Sequence, residues 1–179
     1  MGKFSTIVNK IVKKWSKVVD IIKFKIYNQI INEKEGKIML IGTYRHQLDE
    51  KNRVRFPSKF KDELKSGFIV AKGTNGCLFA FSKEKFEELY QKLSEIPMFD
   101  SEAQKPIRAL LSSAFETEED KQGRILLPQE LRNYAKLSKN IVTIGVGNRV
   151  EIWSEEEFNS YNTSESYDSA ASELGKYGV

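Results

Sequence analysis

Cysteine, histidine and proline are scarce in this chain, with one, one and four copies respectively in 179 residues. The single cysteine, Cys77, excludes an intrachain disulfide framework and gives no metal-ligand cluster, so a reducing cytoplasm fits best. It lies in an apolar run and reads as core. The single histidine, His46, leaves no ligand set for zinc and no nucleophile waiting for a base; a polar residue near a strand end is the simpler account. No glycine loop suited to phosphates is present, because Gly145-Val-Gly147 sits between two short apolar runs and reads as turn glycine. Long apolar runs are missing too: lysines interrupt the most hydrophobic stretch, residues 4–31, which has neither a bilayer-crossing span nor a signal-peptide cleavage site. Catalytic residues, metal and cofactor are therefore all expected to be none, and an enzyme is the weakest reading.

What the chain does have is a repeat. Leu48-Asp-Glu-Lys-Asn-Arg-Val-Arg-Phe-Pro57 and Glu119-Asp-Lys-Gln-Gly-Arg-Ile-Leu-Leu-Pro128 align on Asp49 and Asp120, 71 positions apart. Each has an acid, three residues, an arginine, three largely apolar residues and a proline. After each proline a short helix is expected, over 57–64 and 128–135, since proline suits the first turn. Two strand-like runs follow in each copy: Phe68 to Ala71 and Cys77 to Phe81, then Ile141 to Val146 and Val150 to Trp153. Each unit closes on a serine opening a helix with an acid in its first turn, Ser82 to Phe86 and Ser154 to Phe158, now at an offset of 72. Such matching order argues for two similar units sharing a core.

Within each motif, Asp49 to Asn52 reads as a tight turn. Asp accepts backbone hydrogen bonds, and Asn tolerates the left-handed backbone that Gly123 meets in the second copy. Arg53 and Arg124 then begin a hairpin's return strand, where the side chain emerges at a rim. Between the copies, helices are expected over 82–93, with Phe86, Leu89 and Leu93 on one face, and from about 102 to 113, packed by Ala109, Leu110 and Leu111. Residues 116–120 hold four acids in five positions, a solvated face or a local clamp on the arginine.

Charge is unevenly placed. Of 29 basic and 25 acidic residues, nine lysines and three acids fall in residues 1–37, a net +6; the remainder, 20 against 22, is net −2. Any nucleic-acid reading must therefore rest on where the body's arginines lie. Residues 4–31 form a basic amphipathic pattern, with Ile7, Ile11, Trp15, Val18, Ile22, Ile26 and Ile30 at helical spacing. Three readings fit: contact with a membrane surface, packing against a partner helix, or leader sequence read in frame, with Met39 the start. Lys34-Glu-Gly36 can be encoded by a ribosome-binding sequence suitably placed before Met39. The domain expectation is an extension over 1–38, a first half over 39–100, a second over 101–160 and a flexible tail over 161–179.

The two Asp-xxx-Arg turns are the chemistry that remains. One reading is structural, with Asp and Arg capping each turn and pairing. The other is that each Asp orders its turn while an exposed Arg reaches DNA, its donor fork matching phosphate or guanine edges. Lys51, Arg55, Lys59 and Lys61 surround Arg53, whereas Lys121 and Arg132 attend Arg124, so the first copy is expected to carry more phosphate contact. Two such turns on a monomer bind weakly; repetition of the subunit supplies avidity, and salt-sensitive binding follows.

From Met39-Leu-Ile-Gly-Thr-Tyr through both motifs to Val150-Glu-Ile-Trp153 and the following helix, about two-thirds of the chain resembles the MraZ family of bacterial regulators. The resemblance implies a mixed α+β fold of two tandem pseudo-symmetric AbrB-like β-barrel or swapped-hairpin halves with flanking helices. It also implies a closed-ring homo-oligomer in the cytoplasm and nucleoid. That ring would bind promoter DNA with direct repeats in the division and cell-wall gene cluster, its own promoter included. By motif position the DNA-binding residues are Asp49, Lys51, Arg53, Arg55, Asp120, Lys121 and Arg124. Asn52 departs from the family's usual glycine, and residues 1–38 lie outside its pattern. The competing expectation is a structural assembly protein or division-linked scaffold that binds no DNA and uses the arginines as subunit-contact salt bridges.

Overall fold

A computed structural model describes residues 39–163, 171–172 and 174–177. The amphipathic stretch 4–31 and much of the expected tail lie outside those residues. The chain is a mixed α+β fold. In order it runs β1 (Leu40–Gln47), β2 (Arg53–Arg55), α1 (Ser58–Leu64), β3 (Ile69–Lys72), β4 (Leu78–Phe81), α2 (Lys83–Ser94) and α3 (Ser101–Ser113). It continues through β5 (Phe115–Glu116), β6 (Arg124–Leu126), α4 (Gln129–Tyr134), β7 (Asn140–Gly147), β8 (Val150–Ser154) and α5 (Glu155–Thr163), with a 3-10 turn at Gly175–Tyr177. Six strands form one sheet in the order β1-β7-β8-β4-β3-β5; β2 and β6 form a separate pair.

Pairing is exchanged between the repeats. β1 of the first runs antiparallel to β7 of the second over eight positions, and β5 of the second meets β3 of the first at two. Where corresponding strands meet, corresponding residues face each other: Val54 opposite Ile125 in β2-β6, and Phe79 opposite Glu151 in β4-β8. This exchange is consistent with an AbrB-type swapped-hairpin architecture. It corrects the expectation that β2 returns along β1. The turn after β1 leads the chain away from the sheet, and β2 finds its ladder partner in the other repeat instead.

Side chains of successive strand residues point to opposite faces. In β7 and β8 that puts Ile141, Val150 and Ile152 in one cluster, with Val54, Phe60, Phe68, Ile125, Leu127 and Leu131. Val142 and Trp153 go to the other, with Cys77. Edge-on ring contacts at 4.9 Å, Tyr44 with Phe60 and Phe56 with Phe68, tie β1 and the β2-α1 segment into the first cluster. β2 and β6 are thereby seated on the core by Val54 and Ile125, both fully or nearly fully buried.

The helices start one residue after the prolines, Pro57 and Pro128 standing at the N-cap positions. Ser82 caps α2 by accepting from the Lys85 amide at 3.2 Å. In α3 Ile107 is the buried anchor, and Leu110 and Leu111, three and four residues on and so on the same face, are half-buried; Ala109 is exposed, so of the three residues expected to pack this helix only it falls off the face. Gly145 lies inside β7, not in a turn; a Cβ there would stand 2.6 Å from the β1 backbone, so glycine lets the two strands approach. Helix α5 continues to Thr163, three residues into the expected tail, with the Tyr161 ring 5.2 Å from Trp153.

Candidate nucleic-acid interface

Both turns are built the same way. The Asp49 amide donates to the Arg53 carbonyl at 2.9 Å, and the Asn52 amide to the Asp49 carbonyl at 2.8 Å. In the second copy the Asp120 and Gly123 amides make the matching bonds, each at 2.8 Å. The tight reversal needs a left-handed residue, met by Asn52 at φ 59° and Gly123 at φ 70°. Each aspartate spends Oδ1 on its own backbone: Asp49 on the amides of Lys51 and Arg53, Asp120 on those of Gln122 and Arg124, at 2.9–3.0 Å.

The Oδ2 atoms do something that neither motif alone displays. Arg53 holds Asp49 Oδ2 through Nε at 2.9 Å and Nη2 at 2.8 Å, and reaches across with Nη1 to Asp120 Oδ2 at 3.0 Å. Arg124 holds Asp120 Oδ2 through Nε at 2.8 Å and Nη2 at 2.7 Å, with Nη1 3.3 Å from Asp49 Oδ2. Two acids and two bases thus form a closed square, and the antiparallel β2-β6 pair brings it together. The Arg53 guanidinium, then the Arg53 and Lys51 amides, hold the Asp49 carboxyl below its ordinary range; Asp120 is held lower still by Arg124 in the same way.

This arrangement corrects the expectation of exposed arginines. Arg53 and Arg124 are only 23% and 24% exposed, with their donors engaged. The local charge of the square is zero. Basic groups that do face solvent are its neighbours: Lys51 and Lys121 at the turn tips, with no side-chain partner among the described residues, and Arg55 on β2. Arg55 Nη2 donates to the Gln122 carbonyl at 2.7 Å, so it bridges from the first repeat to the second turn. All seven expected site residues therefore gather around one turn pair, the four motif residues inside and the three flanking cations outside.

Other expectations resolve locally. The acidic run contributes Glu119 to Lys61 at 2.6 Å, Glu116 to Lys83 and Asp120 to the square, so it acts as a set of clamps, while Glu118 is exposed with no partner among the described residues. His46 is half-buried, its Nε2 3.2 Å from Thr143 Oγ1, and burial lowers its pKa. Cys77 is buried, with burial pushing its thiol up to about 12. The described residues hold no group of three or more His, Cys, Asp or Glu able to grip a metal. None of their helices is long and apolar enough to cross a membrane.

Sequence reasoning missed a cleft of about 530 Å³ beside the first turn, lined by Tyr44, Arg45, His46, Arg55, Lys61 and Gln122 among others. The available signal was the spacing of Arg45, Arg55 and Lys61 around one motif. Nothing local showed that the second turn closes over them.

Exchanged strands, a shared core and a fused pair of Asp-xxx-Arg turns define a two-repeat member of the AbrB-like class. The family model described as MraZ protein matches this chain twice, over residues 39–108 and 110–174, and the chain belongs to that family. It is 44% identical over 142 residues to a Clostridium beijerinckii protein named "Transcriptional regulator MraZ", covering 79% of this chain and all of that one. Proteins of the same name from Clostridium tetani and Caldicellulosiruptor saccharolyticus are 42% and 48% identical, covering 79% and 67% of this chain and 100% and 84% of their own lengths. As a member of this family the chain is not an enzyme.

Proposed function

We propose that this chain is a sequence-specific DNA-binding transcriptional regulator of the division and cell-wall gene cluster, its own promoter included. It acts as a cytoplasmic, nucleoid-associated ring of copies on direct repeats. The observation that carries the reading is the fused turn pair: the Asp-Arg square holds two solvent-facing tips side by side, and Lys51, Arg55 and Lys121 surround it. Neutralising the motif charges internally leaves these flanking cations to meet phosphates, while the arginines position them and exchange an aspartate for a base edge when DNA docks. The facing of Val54 on Ile125 and Phe79 on Glu151 supports two pseudo-symmetric halves, each contributing one turn.

Each chain supplies few free cations, so binding gains from repetition on spaced sites. Residues 1–38, outside the family pattern, are read as an N-terminal extension or a misassigned start. A promoter fragment with direct repeats should shift saturably and lose affinity with added salt. Replacing Lys51, Arg55 and Lys121 together by glutamine should abolish the shift while mass by light scattering stays that of the parent oligomer. A chain beginning at Met39 should assemble and bind as the full chain does. A scaffold that binds no DNA would keep its mass in every variant and shift nothing at any salt.

A further inference from the structure

The cleft beside the first turn has a chemistry that the turn pair does not explain. It is lined by Arg45 from β1, Arg55 from β2 and Lys61 from α1, with Ser58 and the second turn's Gln122 and Gly123 on its wall; among the described residues no carboxylate lines it. Each cation spends one nitrogen locally. Arg45 turns Nε to Glu155 at 3.3 Å, Arg55 gives Nη2 to the Gln122 carbonyl, and Lys61 gives Nζ to Glu119. Among the described residues, both Nη atoms of Arg45, the Nε and Nη1 of Arg55 and the remaining Nζ protons of Lys61 have no partner.

The other repeat shows that this is not a by-product of the fold. At the corresponding positions, 71 residues on, Arg45, His46, Arg55 and Lys61 become Glu116, Thr117, Leu126 and Arg132, whereas the wall-forming Tyr44, Phe56 and Pro57 keep their character as Phe115, Leu127 and Pro128. Apolar scaffolding is retained, and of the three cations only the Lys61 position keeps its charge, as Arg132; the arginines of β1 and β2 are present once. Two strands and one helix deliver donors to a single cleft, with the partner acids Glu155 and Glu119 outside its lining, and this suits a tetrahedral oxyanion better than a carboxylate, because a phosphate offers enough acceptors for donors arriving from three sides.

We propose that this cleft is a phosphate seat, taking one phosphate group per chain between Arg45, Arg55 and Lys61. The phosphate comes either from a nucleic-acid backbone or from a free phosphorylated small molecule. In the first case the seat rests on the DNA-binding reading above and deepens it; in the second it stands without it.

The test is calorimetric titration of the full chain with inorganic pyrophosphate, repeated with the Arg45→Gln/Lys61→Gln variant and with promoter DNA already bound. Saturable binding of one pyrophosphate per chain, weakened at least tenfold in the variant, is expected. If bound DNA blocks it and the variant also flattens the salt dependence of the DNA shift, the seat holds a backbone phosphate. If DNA leaves it unchanged, or if the chain binds no DNA at all, the seat belongs to a free phosphorylated molecule. Should the double variant lose its fold by circular dichroism, Arg45→Gln alone, at a side chain 58% exposed, carries the comparison. Pyrophosphate that fails to saturate, or that the variants bind as tightly as the parent, overturns the proposal, and a DNA shift persisting beside that result leaves the DNA reading intact.

Discussion

The first repeat sends an eight-residue strand, β1, across the full length of β7, whereas its counterpart β5 is two residues long. At its start the cause is what precedes each. Positions 111–113, which correspond to 40–42, belong to the last turn of α3, so helix consumes the residues that would have lengthened β5. The turns, by contrast, agree bond for bond. Strand length, surface charge and the Phe79-Glu151 contact diverge, while the β2-β6 pair and the turns keep matching residues where the repeats touch: Val54 on Ile125, Asp49 and Arg53 on Asp120 and Arg124. The core and the square demand both copies; the surface is free to specialise.

If one core serves both repeats, damage in either should unfold both. Phe60 and its counterpart Leu131 are in the same cluster and almost wholly buried. Phe60→Ala should cost about 3–5 kcal/mol and Leu131→Ala about 2–5 kcal/mol, each as a single urea transition seen alike by fluorescence and circular dichroism. Two separated transitions in either variant would mean that the repeats are independent domains, and the comparison would become one between neighbours.

Acid sharpens the difference inside the square. Both aspartates have folded pKa values below the ordinary one, so their contribution is present above roughly pH 4. It is lost as pH falls through the lowered values. Stability measured by chemical denaturation should therefore decline below that pH. Asp49→Asn and Asp120→Asn should each flatten the decline, the second more, because Asp120 is held lower. Equal flattening would make the two turns electrostatically identical.

On the DNA side the asymmetry is one cation at matching strand positions, Arg55 against Leu126. Arg55→Leu should weaken promoter binding evenly across sequences and reduce the salt slope by about 1 per contacting chain, while Leu126→Arg should add a similar amount. Both are read from shifts at several salt concentrations. A slope moved by neither would remove these strands from the interface.

Much of this was legible in advance, for reasons that differ by element. The turns, the prolines before α1 and α4 and the Ser82 cap declare themselves through local bonding preferences, and each lies within a residue or so of its expected place. The pairing of β2 with β6 was not legible, since a three-residue strand specifies no partner and the tight turn before it imitates a hairpin. That one pairing also explains the error over the arginines. Arg53 reads as exposed only while Asp120, 67 residues away, is left out of its surroundings. The cleft stayed hidden for the same reason, its far wall being the other repeat's turn.

The smallest expected effect tests whether the two turns are interchangeable. Asn52 and Gly123 meet one backbone demand with different residues, so exchanging them asks what the rest of each repeat adds. Asn52→Gly removes the strain of a side chain at φ 59° but frees more backbone in the unfolded chain, and the two should cancel to within about 0.5 kcal/mol. Gly123→Asn is not its mirror image. A Cβ at Gly123 would lie 2.6 Å from Lys61 Nζ, so the ammonium must swing aside and its ion pair with Glu119 must loosen. The displaced group is the end of a flexible chain, which keeps the cost near 1 kcal/mol, most of it the asparagine's left-handed backbone. Thermal melts of the two single variants and the exchanged pair would show it. A Gly123→Asn that costs nothing would mean that Lys61 is not held over the second turn, and the first repeat's cleft would lose the contact that closes it.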